Sequence, residues 1–302
     1  MTMSPSNQKP NTAVMLGMEM SNVQRWSDRV ITALGQNPSS FTGPGTNTYL
    51  VGTGKSRILL DTGDGRPEYL PVLSEALEFA GGVSIQEIVL THGHPDHIGG
   101  ARSVRAQHGP VRVSKRPYAR FDEPFELEIQ AIDDGDKIET EGATLRAIHA
   151  PGHAPDHLCF VLEEEQALFT GDNVLGIGTT VIPPETGDLG QYMKSLDRLL
   201  EESPGALFPA HGPRIDDGPS KIREYIQHRL AREEQILQTL RDGHHQITTM
   251  VSVIYAAYPK ALHAAAGQSV ASHLLKLEAE GRVVRQGTDT EDPVTAQWSL
   301  TA

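Results

Sequence analysis

The chain has 302 residues, of which 38% are hydrophobic and 22% are charged, and its formal net charge is −13 at pH 7. These proportions are ordinary for a soluble globular protein of two domains, and the acidity argues against a general nucleic-acid binder. A single cysteine excludes an intrachain disulfide and favours a reducing compartment. No run approaches the roughly eighteen apolar residues of a membrane span, so we expect a cytoplasmic protein without a membrane partner.

The first part of the chain is polar and then becomes strand-rich. Residues 1–24 contain Pro, Ser and Asn without the pattern of a targeting peptide, which predicts an N-terminal tail. Tyr49 to Val51 and Arg57 to Asp61 predict a β-hairpin, and apolar residues at helical spacing predict a helix from Arg66 to Ala80. We therefore expect a globular domain from residue 25 to residue 219.

The run from Thr91 to His97 reads Thr-His-Gly-His-Pro-Asp-His and carries metal-binding chemistry. It follows Ile85 to Leu90, an apolar and β-branched stretch that predicts a buried strand, so the histidines fall on the loop at the strand's end. Neutral imidazole and carboxylate are the ligands expected for zinc. The run therefore predicts half of a metal site, followed by a helix from Ile98 to Gln107 and a short strand from Val111 to Val113.

Three later segments repeat this design of a hydrophobic strand that stops at a turn with a ligand. The ligands are His153 after Leu145 to Ile148, Asp172 after Ala167 to Thr170, and His211 after Ala206 to Pro209. A glycine beside each permits a sharp turn. With His92, His94, Asp96 and His97 these residues make seven ligands, which is enough for two metal ions.

The C-terminal part, residues 220–302, predicts a long helix and a separate small domain. Apolar residues at helical intervals run from Ser220 to Arg241. The predicted elements beyond it are a short helix from Ile247 to Tyr258, a second helix from Leu262 to Glu280, and a hairpin of Val283–Val284 with Ala296–Leu300. This is the outline of a winged helix. Because Lys276 is the only lysine or arginine of the second helix, we expect no duplex DNA as a partner and favour a structural, dimerising or substrate-covering role, with a homodimer as one arrangement.

A basic island follows the first ligands. Between Ile98 and Arg120 the chain has no acidic residue but carries Arg102, Arg105, Arg112, Lys115, Arg116 and Arg120. Two interpretations stay open: Arg102, Arg105 and Arg116 receive an anionic substrate, or the island is a solvated helix face.

The order Thr-His-Gly-His-Pro-Asp-His, Pro-Gly-His, Gly-Asp and His-Gly resembles that of the metallo-β-lactamase superfamily, and Leu59 to Gly63 matches its upstream aspartate segment. The stretches 45–54, 137–145 and 171–180 resemble the lactamase-like protein 2 family, whose animal members are mitochondrial endoribonucleases. The resemblance implies an α/β four-layer αβ/βα sandwich followed by the winged helix. It also implies two Zn²⁺ ions, or Fe or Mn, with a bridging hydroxide that Asp96 orients.

Carried over residue by residue, the resemblance puts His92, His94 and His153 on one metal and Asp96, His97 and His211 on the other. Asp172 bridges the two, where zinc β-lactamases usually have a cysteine or another non-bridging residue, and this disfavours an antibiotic hydrolase. Asp61 would accept a hydrogen bond from a ligand imidazole, or it is merely a turn-former.

Four further residues are candidates for substrate contact or catalysis. His157 follows His153 by four positions and could act as a proton donor, while Asn47, Thr179 and Tyr192 could contact substrate. Small polar residues in turns are also common caps, so a structural role stays open for each.

The resulting prediction is a binuclear zinc hydrolase that acts on single-stranded RNA or on a small ester or thioester. The family likeness favours RNA, whereas the acidity favours a thioesterase of the glyoxalase II type or a lactone or lactam hydrolase. The remaining alternatives are a non-catalytic, metal-stabilised binding module and a di-iron oxygen- or nitric-oxide-reducing relative, against which the absence of a flavodoxin-like domain argues.

Overall fold

The computed structural model describes residues 12–15, 17–286 and 292–301. The chain divides into two compact units. The first comprises the chain up to His149 together with Asp156–Gly178 and Ser203–Gly218, and the second comprises Ala150–Pro155, Thr179–Glu202 and the chain from Pro219 onward. Among the described residues, no helix combines the length and the apolar character needed to cross a lipid bilayer.

The first unit contains a seven-stranded mixed sheet. A small hairpin, β1 (Thr12–Met15) and β2 (Met18–Ser21), precedes it. The strands of the sheet, in spatial and chain order, are β3 (Val23–Arg25), β4 (Val30–Leu34), β5 (Asn47–Val51), β6 (Ser56–Leu60), β7 (Ser84–Val89), β8 (Arg112–Lys115) and β9 (Ile129–Ala131). Strands β3 to β6 pair antiparallel, and β6 to β9 pair parallel. The predicted hairpin and both predicted strands near the first ligands are present.

A five-stranded sheet completes the β-structure of this unit. Its strands are β10 (Lys137–Thr140), β11 (Ala143–His149), β12 (Leu158–Leu162), β13 (Ala167–Gly171) and β14 (Ala206–Pro209), again in spatial order. Strands β10 to β13 pair antiparallel, and β13 pairs parallel with β14. Each of the three later ligands predicted from sequence thus follows a strand of this sheet.

The hydrophobic core of the unit lies between the two sheets. Side chains of the first sheet, such as Val30 and Tyr49, form one buried cluster with Phe160, Phe169 and Phe208 of the second sheet. The Tyr49 and Phe169 rings meet edge to face with centroids 4.9 Å apart, which is a favourable geometry for aromatic pairs. A second cluster packs the other face of the seven-stranded sheet against α1 (Tyr69–Phe79) and part of the helical segment after β7.

The helical segment after β7 is split. The sequence predicts one helix from Ile98, but the structure has α2 (Pro95–Ile98), then Gly99 and Gly100, then α3 (Ala101–His108). A Cβ atom on Gly100 would lie 2.0 Å from the Thr62 carbonyl oxygen, so the glycines permit close contact with the loop after β6. At these glycines, the segment after β7 therefore packs directly against the loop after β6. A short helix, α4 (Ala119–Asp122), follows β8.

The second unit contains α5 (Leu189–Glu201), almost all of α6 (Gly218–Arg241), α7 (Ile247–Ile254), α8 (His263–Ala279) and the hairpin β15 (Val283–Gln286) with β16 (Gln297–Leu300). Its own core surrounds the fully buried Trp298. The predicted helices and hairpin are present, although α7 ends at Ile254 and not at Tyr258. Part of the predicted turn, 287–291, and residues 1–11 and 16 of the predicted tail lie outside the described residues. The described part of that tail forms β1, β2 and the beginning of β3, so a tail is the wrong prediction there.

Candidate metal centre

The candidate ligands of the first unit follow strands whose ends lie close together. Strands β6 and β7 are parallel neighbours, so Asp61 and the loop from Thr91 to His97 leave the sheet at the same edge. Strands β13 and β14 are likewise parallel, and they are followed by Asp172 and His211. A β-bridge between Thr46 and His211 joins the two edges. Local sequence therefore specifies which ligand follows each strand, and sheet topology brings those ligands together.

The first group of ligand atoms comes from His92, His94 and Asp172, which each offer one atom within 4.8 Å of the others. Nε2 of His92 lies 2.9 Å from Nδ1 of His94. His92 is fully buried, and burial together with the neighbouring His97 lowers its pKa well below the ordinary value. His92 is therefore a neutral imidazole with a lone pair, the form that binds metals.

The second group comes from Asp96, His97 and His211. Oδ2 of Asp96 lies 3.4 Å from Nε2 of His97 and 3.3 Å from Nε2 of His211. Oδ1 of Asp172 lies 3.4 Å and 3.1 Å from the same two nitrogens. Asp172 therefore adjoins both groups, as expected of a bridging carboxylate.

The charges of the two groups are strongly coupled. Burial lowers the pKa of His211, but the Asp172 and Asp96 carboxylates together outweigh burial and raise that pKa to about 9. Burial raises the pKa of Asp172, but His211 and His97 outweigh it and hold that pKa well below the usual value. Metal ligands must lose their protons to bind, so a divalent cation would replace the protons of His97 and His211.

Asp61 and Thr91 hold the imidazole of His97. Oδ2 of Asp61 lies 2.8 Å from Nδ1 of His97 and accepts a 2.9 Å hydrogen bond from the Thr91 hydroxyl, while Oδ1 accepts a 2.8 Å bond from the Thr91 N–H. The backbone φ of Asp61 is +60°, a conformation that small polar residues tolerate. A carboxylate at Nδ1 fixes the ring proton there and leaves Nε2 free for a metal.

The donor set fits a divalent cation. Nε2 of His97 is buried and has no hydrogen-bond partner among the described residues. Ligand atoms of Asp96 and His211 lie within 4.8 Å of the His97 ligand atom and of each other. Buried polar atoms normally have partners, and an ion at this position would satisfy them together. Imidazole and carboxylate ligands suit zinc, and also iron or manganese.

His153 lies in the segment 150–155, between β11 and β12, and belongs to the second unit. It is 5% exposed, and its Nδ1 lies 2.8 Å from the Val181 carbonyl oxygen. Donation from Nδ1 to a carbonyl would leave Nε2 as the ligand atom. Its role as a ligand stays a prediction.

The two other predicted catalytic residues are buried and contact backbone. Nε2 of His157 accepts a 3.0 Å hydrogen bond from the Asp172 N–H, and its side chain has no exposed surface. Asn47 Nδ2 donates to the carbonyls of Pro209 and Gly212 at 2.9 and 2.8 Å, on either side of His211. These contacts favour a role in positioning the ligand loops, and a catalytic role for His157 or Asn47 stays a prediction.

The predicted substrate residues of the second unit differ in exposure. Thr179 is exposed, whereas Tyr192 is fully buried with the Arg229 guanidinium 5.3 Å from its ring centroid. The structure thus gives Tyr192 a packing position, and its contact with substrate stays a prediction. Thr179 stays a prediction.

The basic island is largely neutralised by acids that are distant in sequence. Arg102 pairs with Glu126, Arg112 with Glu87, and Arg116 with Asp133. Lys115 is fully buried against Asp122 and Asp156. The absence of acidic residues therefore holds along the chain but not in space. Substrate binding by Arg102, Arg105 and Arg116 stays a prediction.

Asp156 and Lys115 beside the site were not anticipated as a pair. Asp156 Oδ2 accepts a 2.9 Å hydrogen bond from the Gly93 N–H, between two candidate ligands. The sequence contains one indication that Asp156 belongs near the site, because Pro155-Asp156-His157 repeats the residues of Pro95-Asp96-His97.

Comparison with known proteins agrees with this architecture. The model of the metallo-beta-lactamase superfamily matches residues 41–211, more than half of the chain, and that of the beta-lactamase associated winged helix domain matches residues 247–298. Solved structures of a metallo-beta-lactamase family protein from Thermus thermophilus and a beta-lactamase domain protein from Burkholderia ambifaria superpose with TM-scores of 0.74 and 0.77. They cover 91% and 92% of this chain, and this chain covers 100% and 93% of theirs, at 24% and 18% identity. The predicted fold is confirmed.

Curated relatives are more similar in sequence. The lactamase-like protein adaB of Aspergillus niger is 40% identical over 293 residues, which cover 92% of this chain and 88% of the relative. The beta-lactamase-like protein 2 homolog of Drosophila melanogaster is 40% identical over 284 residues, covering 89% and 94%. The atrochrysone carboxyl ACP thioesterase nsrC of Aspergillus novofumigatus is 44% identical over 226 residues, covering 74% and 66%. The chain therefore belongs to the metallo-β-lactamase superfamily of hydrolases, among the lactamase-like proteins with a C-terminal winged helix.

Proposed function

We propose that this protein is a binuclear metal-dependent hydrolase that cleaves carboxylic thioesters. The observation that carries the proposal is the position of Asp172, whose carboxylate belongs to the group with His92 and His94 and also lies within 3.4 Å of His97 and His211. A pair of divalent ions supplies a water of lowered pKa and polarises the carbonyl under attack. The sequence predicts His153 as a further ligand.

The protein's own residues hold and orient this centre. Asp172 joins the two groups, and its backbone N–H is fixed by the buried His157. Asp61 keeps the proton of His97 on Nδ1. Asp96 is the remaining carboxylate of the second group and, with 25% of its side chain exposed, is the ligand placed to meet an entering water.

The charge distribution favours a thioester over RNA. The chain carries 39 acidic against 26 basic residues, and Arg102, Arg112, Lys115 and Arg116 of the basic island each have an acidic partner. A polyanion gains affinity from unpaired cations that neutralise its phosphates. Two relatives named as atrochrysone carboxyl ACP thioesterases, 44% and 43% identical, also support an acyl thioester.

Thiol release tests this proposal. Purified protein loaded with zinc, iron or manganese is offered acyl-pantetheine, acyl-coenzyme A and acyl-glutathione. The released thiol is measured by a colorimetric assay. A fluorescent single-stranded RNA, a homoserine lactone and a chromogenic β-lactam form the parallel arms. We expect turnover of at least one thioester, and cleavage of RNA without turnover of any thioester would contradict the proposal.

Matched variants exclude a contaminating hydrolase. His94→Ala and Asp172→Ala remove candidate ligands, so we expect each to lower thioester turnover more than about 100-fold. Asp28→Asn changes an exposed aspartate and His108→Ala a histidine at the end of α3, outside both groups, and both should keep the wild-type rate. Turnover that survives Asp172→Ala would mean that the activity belongs to another protein.

A further inference from the structure

A lysine ammonium is enclosed in the interior of the first unit. Lys115, the last residue of β8, has no exposed surface. Its Nζ lies 2.5 Å from Oδ2 of Asp156 and 2.8 Å from Oδ1 of Asp122, and it donates a 2.6 Å hydrogen bond to the Arg116 carbonyl. Burying charges is costly even when they are paired, so such a cluster calls for an account of what it holds in place.

The cluster contacts the backbone of the first metal-binding loop. The Asp156 oxygen that accepts from Lys115 also accepts a 2.9 Å hydrogen bond from the Gly93 N–H. This N–H belongs to the peptide bond between His92 and Gly93, so its direction constrains how His92 and His94 are presented. A carboxylate makes a stronger hydrogen bond to an N–H than a neutral acceptor does.

The same loop also packs closely against Phe121. A Cβ atom built on Gly93 would lie 2.6 Å from Cβ of Phe121, and the Phe121 ring centroid is 5.1 Å from that of His94. Phe121 lies in α4 next to Asp122, the second carboxylate at Lys115. Lys115 thus links Asp156 to α4, and both Asp156 and α4 contact Gly93.

We propose that Lys115, Asp156 and Asp122, the Lys115 cluster, position the loop from His92 to His94 for metal binding. Lys115 and Asp156 are then positioning residues, because they act through Gly93 and do not touch the ions. The inference rests on the proposed metal centre, but it concerns ion affinity and is independent of which substrate is cleaved. It predicts a selective effect on the first ion, since Asp96, His97 and His211 are held by other contacts.

Cobalt titration tests the proposal. Metal-free protein is titrated with Co²⁺, and the visible absorption bands report the number of ions, their ligand geometry and their affinities. For Asp156→Ala we expect one of the two ions to bind about 10–100-fold more weakly, with altered bands, while the other ion is unchanged. Asp156→Asn keeps an acceptor for the Gly93 N–H and should restore most of that affinity.

Further variants separate positioning from general stability. Lys137→Met removes a lysine from the exposed ion pair with Glu163 and should leave both ions unchanged. Lys115→Met should reproduce the selective loss, and Gly93→Ala provides a second route to it if Lys115→Met does not fold. Wild-type binding of both ions by Asp156→Ala, or equal weakening of both together with a lower melting temperature, would overturn the proposal. Absence of thioester turnover would leave the titration result standing, so the two proposals fail separately.

Discussion

Asp61 and His97 form a buried pair in which Oδ2 of the carboxylate lies 2.8 Å from Nδ1 of the imidazole, with 2% and 0% of the side chains exposed. The aspartate directly follows β6, and the histidine lies in the segment after β7, the neighbouring parallel strand. The pair therefore links strand order directly to the tautomer of a candidate metal ligand.

Asp61→Asn tests this link. The variant retains the shape of the side chain and tolerates the φ of +60°, but its amide has one acceptor oxygen where the carboxylate has two, so it cannot accept from both the Thr91 N–H and His97 Nδ1. We expect zinc affinity at the group of Asp96, His97 and His211 to fall about 10–100-fold, measured by competition with a chromogenic chelator. Asp28→Asn serves as the control, and unchanged zinc affinity in Asp61→Asn would refute the assigned role.

Metal removal should destabilise the first unit. Ions that bind only the folded state add about 4 kcal/mol to the free energy of unfolding when their free concentration is 1,000 times the dissociation constant. We therefore expect a chelator to lower the urea midpoint and zinc to restore it. His211→Ala removes a ligand of the second group, so its zinc-dependent shift should be smaller. A urea midpoint that changes with neither chelator nor zinc would contradict a metal centre.

Glu233 should stabilise the second unit. This carboxylate of α6 is 6% exposed, accepts a 2.6 Å hydrogen bond from Lys276 of α8 and also pairs with Arg282. Glu233→Ala leaves the little-exposed lysine with Glu280 alone, so we expect a loss of about 2 kcal/mol in the free energy of unfolding. Its neighbour Glu234 is exposed and pairs with Arg241, so Glu234→Ala should cost less than about 1 kcal/mol by the same chemical denaturation.

His273 should make the second unit sensitive to acid. Both ring nitrogens are buried without hydrogen-bond partners among the described residues, and burial, then Arg229 and Arg232 of α6, holds the pKa well below 6.5. Lys276 of α8 and His228 of α6 lower it further. The unfolded chain binds a proton at this histidine near pH 6.5, whereas the folded chain does not, so stability is lost as the pH falls below about 6.5.

The corresponding variant is His273→Leu, which has no proton to gain. Between pH 8 and pH 5.5 its free energy of unfolding should fall by about 1.4 kcal/mol less than that of the wild type, measured by urea denaturation at each pH. His244→Leu, a partly exposed histidine of the same unit, is the control and should follow the wild type. Equal acid losses in wild type and His273→Leu would show that His273 does not stay neutral in the fold.

Patterns between neighbouring residues of the sequence predicted many of the strands, helices and candidate ligands of this protein. Each candidate ligand lies in the segment after an apolar strand, so strand and ligand are near neighbours along the chain and residue order indicates the ligand types. The two-sheet fold was implied by the resemblance to the metallo-β-lactamase superfamily. Helical spacing likewise predicts the winged helix. The same local logic fails at Gly99 and Gly100, where contact with the distant Thr62 interrupts the helix.

Tertiary structure decided which charges meet. Along the chain Lys115 belongs to a stretch without acids, but in the fold Asp156, 41 positions later, lies 2.5 Å from its ammonium. Sheet pairing also decided that Asp172 reaches His211, because β13 and β14 end side by side. Spacing in sequence reports the residues of one strand and its turn, whereas the pairing of charges depends on how distant strands are ordered in a sheet.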